Sequence, residues 1–312
     1  MQSDLRGRAL PWRTEVAEFL LAGGGTLLLL PLFGLSRRLF PDDAEWTLGF
    51  LAFHAAYIIN DPHFSVTYLL FYRRVRERAF DRAVPLSQRL RYLWAGAGVP
   101  LLLVGWIIWA WSRPSEAGAA ESMGALFQLM FFLVSWHYVK QAFGILLLLS
   151  ARRGIRFSLL ERRLFLAHCI TAWLYARATP FDPGAPQLEQ GVFYHSLPHP
   201  LWLETATLVP FVLGNVGLAY AVVSFYRRQR SLRAGLPLVV FLVSTWLWVV
   251  YVAIDPLLFY VVPALHSVQY LYVVYLERSG AARALEGPPT FGRPVPVVLG
   301  TWAFFAIALG FL

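Results

Sequence analysis

The sequence has little charge, a single cysteine and a single lysine. Charged residues make up 14% of its 312 residues, against 58% hydrophobic and 16% aromatic residues. This composition excludes an ordinary soluble domain and is typical of a polytopic membrane protein. Cys169 has no second cysteine to pair with, which excludes an internal disulfide and leaves the redox compartment unspecified.

The sequence also lacks a clear signal-peptide cleavage site, an internal repeat, a low-complexity tract and a soluble domain. Apolar runs follow one another instead, most of them close to the ~20 residues that a membrane-spanning helix needs. We therefore expect an all-α fold, a single polytopic transmembrane helical bundle over residues 1–312 with about eight to nine spans. The runs are 15–35, 47–72, 92–112, 123–150, 163–178, 203–226, 235–254, 257–277 and 295–312.

The net charge of +9 is distributed as in a membrane protein, because the arginines gather in alternate connections between the apolar runs. Loops with an excess of arginine and lysine lie on the cytoplasmic side. The pattern predicts a bacterial inner-membrane protein with a cytoplasmic N-terminus, whose basic loops contact anionic lipid rather than nucleic acid. The basic loops are 73–91, 152–163, 227–233 and 278–293.

Histidines inside the apolar runs are the main candidates for function. Ionisable groups within a bilayer are costly, so they usually face the bundle interior and serve a function. His54 and His63 lie in the second run, His137 in the fourth and His266 in the eighth, all near the middle of the membrane. We expect these four imidazoles to bind one metal ion. The other histidines are expected to lie outside this site: His168, His195 and His199.

A proline lies beside the polar cluster of the second run. Pro62 removes a backbone donor, so we expect the second helix to be kinked or partly unwound there. In an unbroken helix His54 and His63, nine residues apart, would point in opposite directions. Unwinding would bring both imidazoles inward, with Asn60 capping the second half of the helix.

Other polar residues lie one helical turn from the histidines. Gln141 follows His137 at i+4, and Gln269 follows His266 at i+3, so each pair shares a helix face. Metal-bound histidines usually have hydrogen-bonding partners that orient the ring. We expect these outer partners to be Asn60, Gln141 and Gln269.

Three further residues are expected to take part in the chemistry: Lys140, Asp61 and Tyr270. Lys140 shares a face with His137, and Tyr270 shares one with His266. A lysine at mid-membrane needs a partner, so Lys140 is expected to pair with Asp61 or to donate hydrogen bonds within the site.

Four neutral imidazoles suit iron, copper or zinc. Zinc would support hydrolysis. An all-nitrogen iron site would support dioxygen chemistry on an apolar molecule, which the aromatic-rich spans would accommodate. We expect Fe(II), with zinc and copper still open.

Two segments resemble a known family. The stretches "DPHF" at 61–64 and "LHSVQY" at 265–270 are similar to segments of the Brp/Blh-type β-carotene dioxygenases, histidine-rich polytopic membrane proteins. The resemblance implies a histidine-bound iron that cleaves the central double bond of a carotenoid. In that family two histidines stand four residues apart in the second segment, whereas Tyr270 takes the second position here.

Two other functions remain open. A transporter or proton pathway would use the broken second helix together with Lys140 and Asp61. A b-type haem or quinone electron-transfer protein would use two of the mid-membrane histidines as axial ligands. The absence of clustered histidine boxes within the spans argues against the membrane fatty-acid desaturases and hydroxylases.

Overall fold

A computed structural model describes residues 12–41, 44–178, 187–189, 192–194, 200–229, 235–251 and 256–310. The predicted all-α class is confirmed, because helices form almost all of the described chain. A short antiparallel ribbon pairs β1 (Gln187–Glu189) with β2 (Val192–Tyr194). The α-helices are α1 (Trp12–Phe19), α2 (Thr26–Leu39), α3 (Ala44–Tyr72), α4 (Val75–Phe80), α5 (Leu86–Leu93), α6 (Val99–Trp111), α7 (Glu116–Arg152), α8 (Leu159–Ala178), α9 (Leu201–Gln229), α10 (Gly235–Leu242), α11 (Pro256–Glu286) and α12 (Val295–Gly310).

Where the structure describes the chain, each predicted apolar run coincides with one helix or with helices joined end to end. Short π-helical segments join α1 to α2 at Leu20–Gly24 and α5 to α6 at Trp94–Gly98, and a third, Val243–Val250, continues α10. Within the described residues, three helices are long and apolar enough to cross a membrane: Leu86–Trp111, α7 and α9. The bent pair formed by Trp12–Gly24 and α2 would make a fourth.

The first apolar run contains a sharp break. Its two helices meet at an angle of 62°. Gly23 lies at the break with φ of +125°, a conformation that side-chain-bearing residues rarely adopt. A Cβ atom there would also lie 3.1 Å from the Trp248 ring. Glycine is therefore required at this position by both its backbone conformation and its packing.

The predicted partial unwinding of the second helix is wrong, whereas the predicted kink at Pro62 stays a prediction. Helix α3 stays α-helical from Ala44 to Tyr72, with Pro62 inside it. One proline removes a single backbone hydrogen bond, and a long membrane helix tolerates that loss where neighbouring groups compensate for it. As a result, residues on either side of Pro62 keep regular helical spacing.

The chain divides into two compact units. The first comprises residues 1–63, 133–181 and 199–312. Its hydrophobic core contains fully buried aromatic side chains from three helices, among them Phe165 of α8, Phe225 of α9 and Phe241 of α10. Burial of such rings is the main source of stability in a packed helical core.

A buried ionic cluster also holds the first unit together. The fully buried carboxylate of Glu18 contacts the guanidinium of Arg153 and lies 3.3 Å from Nε of Arg152. The Tyr272 hydroxyl donates to the same carboxylate at 2.9 Å. Helices α1, α7 and α11 are thereby joined at one end, and the buried charge is compensated.

The second unit comprises residues 64–132 and 182–198. Within it, the Tyr72 hydroxyl donates to the carbonyl of Gly96 at 2.6 Å, and the Tyr92 hydroxyl donates to the carbonyl of Phe71 at 2.8 Å. The rings of Phe71 and Tyr92 also stack, with centroids 4.5 Å apart. These contacts join the end of α3 to α5 and the π-helical segment after it.

Candidate metal centre

Three of the four predicted ligands come together in the first unit. His63 of α3, His137 of α7 and His266 of α11 each offer one ring nitrogen, and these nitrogens all lie within 4.8 Å of one another. The ring centroids are 4.8 Å apart for His137 and His266, and 5.2 Å for His63 and His266. Three imidazoles from three separate helices thus converge on one place. We call these three residues the histidine cluster.

The histidine cluster is enclosed on two sides and open on the third. His63 and His266 are buried, with 6% and 3% of their surface exposed, whereas His137 is exposed. A metal ion held here would have two ligands inside the helix bundle and one at its surface. The open side is therefore the side of α7.

His266 has no hydrogen-bonding partner for its ring among the described residues. Both Nδ1 and Nε2 are buried and unpaired. A buried polar atom left without a partner costs about 1–3 kcal/mol, so native proteins rarely keep one without a reason. A metal ion bound to one of these nitrogens would remove part of that cost.

The cluster fits one metal ion after a small adjustment. Bonds of about 2.0–2.1 Å to three nitrogens in a tetrahedral arrangement place those nitrogens about 3.3 Å apart. The ring nitrogens of the histidine cluster are up to 4.8 Å apart, which is more than a tetrahedral site requires. Rotation of the imidazole rings, above all of exposed His137, would close the difference.

Two tyrosine rings pack against the histidine cluster. The Tyr270 ring meets His63 edge to face, with centroids 4.4 Å apart. The Tyr138 ring lies at the same distance from His266. Aromatic walls on two sides restrict the rotation of the imidazoles and make the surroundings of the site apolar.

A hydrogen bond between side chains joins the two helices that carry the buried histidines. The Ser267 hydroxyl donates to Oδ1 of Asn60 at 2.6 Å. Ser267 directly follows His266, and Asn60 lies one turn before His63 on α3. This bond fixes the relative position of α3 and α11 beside the cluster. Asn60 was expected to cap a broken helix, and instead it accepts a bond between helices.

The two glutamines near the cluster act on the backbone rather than on the imidazoles. Nε2 of Gln141 donates to the carbonyl of His266 at 3.1 Å and to Oε1 of Gln269 at 2.8 Å. Gln269 is fully buried, and its Nε2 donates to the carbonyl of Ala22, next to the helix break, and to Oγ of Ser244 at 3.3 Å. Both glutamines therefore support the helices that hold His137 and His266.

His54 does not join the histidine cluster, contrary to the prediction. It is exposed, its Nδ1 lies 2.8 Å from the carbonyl of Phe50, and its ring packs on the Phe50 ring at 4.1 Å. The physical reason is the regular course of α3 through Pro62. Nine residues of unbroken helix turn His54 to the face opposite His63.

Lys140 is not paired with Asp61. Lys140 is exposed and forms no ion pair with any described residue, and its ammonium lies over the Trp136 ring, 5.7 Å from the centroid. Asp61 lies on α3 at the close approach of α12, where a Cβ atom on Gly310 would be 3.0 Å from the Asp61 Cβ. Lys140 thus contacts Trp136 on its own helix, whereas Asp61 lies beside α12.

The remaining histidines lie apart from the cluster or outside the described residues. His168 is fully buried on α8, among the rings of Phe211, Phe241 and Trp246, with centroids 6.1–6.4 Å away. It offers no ligand atom to the histidine cluster. His195 and His199 lie outside the described residues.

Sequence reasoning missed Tyr138, Ser267 and the break in the first run. Tyr138 and Ser267 each directly follow a cluster histidine, so proximity in the sequence was the available signal. The break lies in the stretch Gly23–Gly25 inside an apolar run, and three consecutive glycines favour a departure from helix.

Comparison of the chain with protein-family models, with curated proteins and with solved structures finds no match. The resemblance to the β-carotene dioxygenases therefore depends on the two short sequence stretches alone.

Proposed function

We propose that this chain is an integral membrane metal-dependent oxygenase that acts on a carotenoid or another apolar lipid. The observation that carries the proposal is the histidine cluster, three convergent imidazoles from three helices with both ring nitrogens of His266 unpaired among the described residues. A buried imidazole with both nitrogens unpaired, converging with two other imidazoles, is suited to bind a metal ion.

The donor set favours a metal that prefers nitrogen. His63, His137 and His266 supply three neutral nitrogens, and no carboxylate or thiolate belongs to the group. Fe(II), zinc and copper all accept such ligands, whereas calcium and magnesium prefer oxygen. An iron ion held by three protein ligands would keep coordination positions free and would supply dioxygen activation.

The surrounding residues would hold the ligands and exclude water. The bond between Ser267 and Asn60 fixes the helices that carry His63 and His266. The rings of Tyr138 and Tyr270 cover these two imidazoles. Exposed His137 leaves the side of α7 for an apolar substrate to approach from the lipid.

The membrane arrangement is part of the same proposal. About eight to nine apolar runs would cross the membrane. The bent pair, the shorter helices Gly235–Val250 and α12, and helices α3, α8 and α11 would then span it in addition to the three that qualify by length and apolarity. The N-terminus would be cytoplasmic in a bacterial inner membrane, and the basic loops would contact anionic lipid.

A transporter is the second candidate, because the first run is broken as in many transporter folds. Free backbone carbonyls at such a break would bind an ion. Here the carbonyl of Ala22 accepts from Gln269, and the carbonyl of Gly23 accepts from the Thr26 hydroxyl at 2.7 Å. These carbonyls are thus already engaged.

Haem binding is less compatible with this geometry. A haem needs two axial ligands with a wide planar ring between them. In the histidine cluster a third imidazole converges on the same place as the other two. The third ring would occupy space that the macrocycle needs.

The proposal is tested by loading purified protein with Fe(II) under anaerobic conditions and then adding dioxygen with β-carotene or an unsaturated lipid. We expect dioxygen uptake in proportion to the oxygenated product detected by mass spectrometry. The His137→Ala variant should show no dioxygen uptake and no oxygenated product. Iron-loaded protein that consumes no dioxygen with any of these substrates would exclude the oxygenase and leave the transporter.

A further inference from the structure

Lys140 is the one lysine of the chain, and it lies on α7, the helix that carries exposed His137. It follows His137 by three residues on α7, so the two side chains start about 5–6 Å apart on neighbouring parts of one helix face. Both side chains are exposed. A molecule that contacts exposed His137 therefore lies within about one helical turn of Lys140.

The position of Lys140 along α7 makes its charge costly. Arg152, whose Nε lies 3.3 Å from the Glu18 carboxylate, stands near the cytoplasmic end of the helix. Lys140 is about three turns, or about 18 Å, further into the proposed span. That distance exceeds the reach of a lysine side chain, so the ammonium cannot extend to the end of the helix at which Arg152 lies.

No acidic side chain among the described residues compensates for this charge. Lys140 forms no ion pair with a described residue; its ammonium lies over the Trp136 ring and interacts electrostatically with the buried, neutral thiol of Cys169. A cation over an aromatic face is stabilised by about 0.5–2 kcal/mol, which is less than the cost of an unpaired charge in lipid.

The histidine cluster adds positive charge on the same side. Its three ligands are neutral imidazoles, so a divalent metal bound there would keep its full charge of about +2. Lys140 and the metal together would form a strongly electropositive region in an apolar setting. Such a region requires an anion to compensate for it.

We infer that the ligand of this site is an amphipathic carboxylate, a long apolar chain with one acid group held by Lys140 beside the metal. The apolar chain fits the approach from lipid, and the acid group supplies the missing negative charge. The inference rests on the proposed metal site and narrows its substrate class, because a carotenoid hydrocarbon carries no anion.

The test compares the binding of dodecanoate, methyl dodecanoate and acetate to zinc-loaded protein in detergent. We expect dodecanoate to bind about 10- to 100-fold more tightly than the ester, since a hydrogen bond to a charged group is lost in the ester. Acetate should bind far more weakly than dodecanoate, because it lacks the chain. The zinc content of each sample is measured first.

Two variants of Lys140 separate its charge from its packing. Lys140→Met should lose the preference for dodecanoate over the ester while it keeps its zinc, and Lys140→Arg should keep most of that preference. Arg113→Met is the matched control, because the Arg113 guanidinium also lies over a tryptophan ring, at 5.1 Å from the centroid of Trp109. This control should bind dodecanoate as the wild type does.

Several results would overturn the inference. Equal binding of acid and ester, equal binding of acetate and dodecanoate, or an unchanged preference in Lys140→Met would each contradict it while leaving the metal site intact. An equal loss in Arg113→Met would show that any surface cation acts in the same way. Wild-type protein that takes up no zinc would overturn both the inference and the proposed metal site.

Discussion

At the scale of single residues, His266 is the most deeply buried of the three proposed ligands, and His54 is a predicted ligand that lies outside the histidine cluster. Replacement of His266 by alanine removes one of three convergent nitrogens. We expect metal affinity to fall by more than the ~10–100-fold that loss of an outer hydrogen-bond partner costs. Elemental analysis after dialysis against a weak chelator measures this loss.

His54→Ala is the control for that substitution. Its imidazole is exposed, and it contacts the carbonyl and the ring of Phe50 on its own helix. Metal content should equal that of the wild type. If His54→Ala lost metal as completely as His266→Ala, the assignment of three ligands would be wrong.

Ser267 is expected to position ligands without touching the metal. Ser267→Ala removes the 2.6 Å bond to Asn60 and leaves its carboxamide oxygen without this donor. Metal affinity should fall ~10-fold, at the lower end of the range for outer partners. The measurement is a competition titration with a metallochromic chelator.

Ser279→Ala is the matched control, because this serine also lies buried on α11 but donates within its own helix, to Leu276 at 3.2 Å. It should leave the affinity unchanged. Similar losses in both variants would show that general loosening of α11, rather than the bond to Asn60, causes the effect.

At the scale of elements, α12 packs against the segment of α3 that carries His63. A Cβ atom on Gly310 would lie 3.0 Å from the Asp61 Cβ and 3.4 Å from the Pro62 nitrogen. In the middle of α12, the Trp302 ring lies beside α11, with the Arg278 guanidinium 4.7 Å from its centroid. Helix α12 thus contacts both helices that carry buried ligands.

The substitution Gly310→Leu should push α12 and α3 apart and weaken metal binding ~10-fold, since displacement of His63 acts like loss of an orienting partner. Gly300→Leu on the same helix is the control, because no atom lies within 4 Å of its added Cβ. Chelator competition measures both. An unchanged affinity in Gly310→Leu would mean that α12 does not position His63.

The helices could be predicted from the sequence, because each apolar run carries its own signal in composition and length. The site could be predicted in part. His63, His137 and His266 lie at similar positions along their apolar runs, and from these positions we expected them to lie close together, as they do. The prediction for His54 was wrong because it assumed that Pro62 unwinds α3. Whether a proline unwinds a helix depends on neighbouring groups that compensate for the lost hydrogen bond, and the local sequence does not contain that information. The bond from Ser267 to Asn60 joins residues of distant helices, so no spacing rule reveals it.

At the scale of the whole molecule, the arginine distribution predicts the orientation in the membrane. Cysteines introduced at Ser87 and Ser231, in two basic loops, should be protected from an impermeant thiol reagent added to intact cells. A cysteine at Ser115, in an arginine-poor connection, should react. Labelling at Ser87 or Ser231 with protection at Ser115 would reverse the topology.

The metal content of wild-type protein tests the central claim most directly. Protein purified in detergent without chelators is analysed for iron, zinc and copper, together with a variant in which His63, His137 and His266 are all alanine. The account predicts about one metal ion per wild-type chain, without the absorption bands of haem, and none in the triple variant. Wild-type protein that is free of metal, and that takes up none when iron or zinc is added, would contradict it.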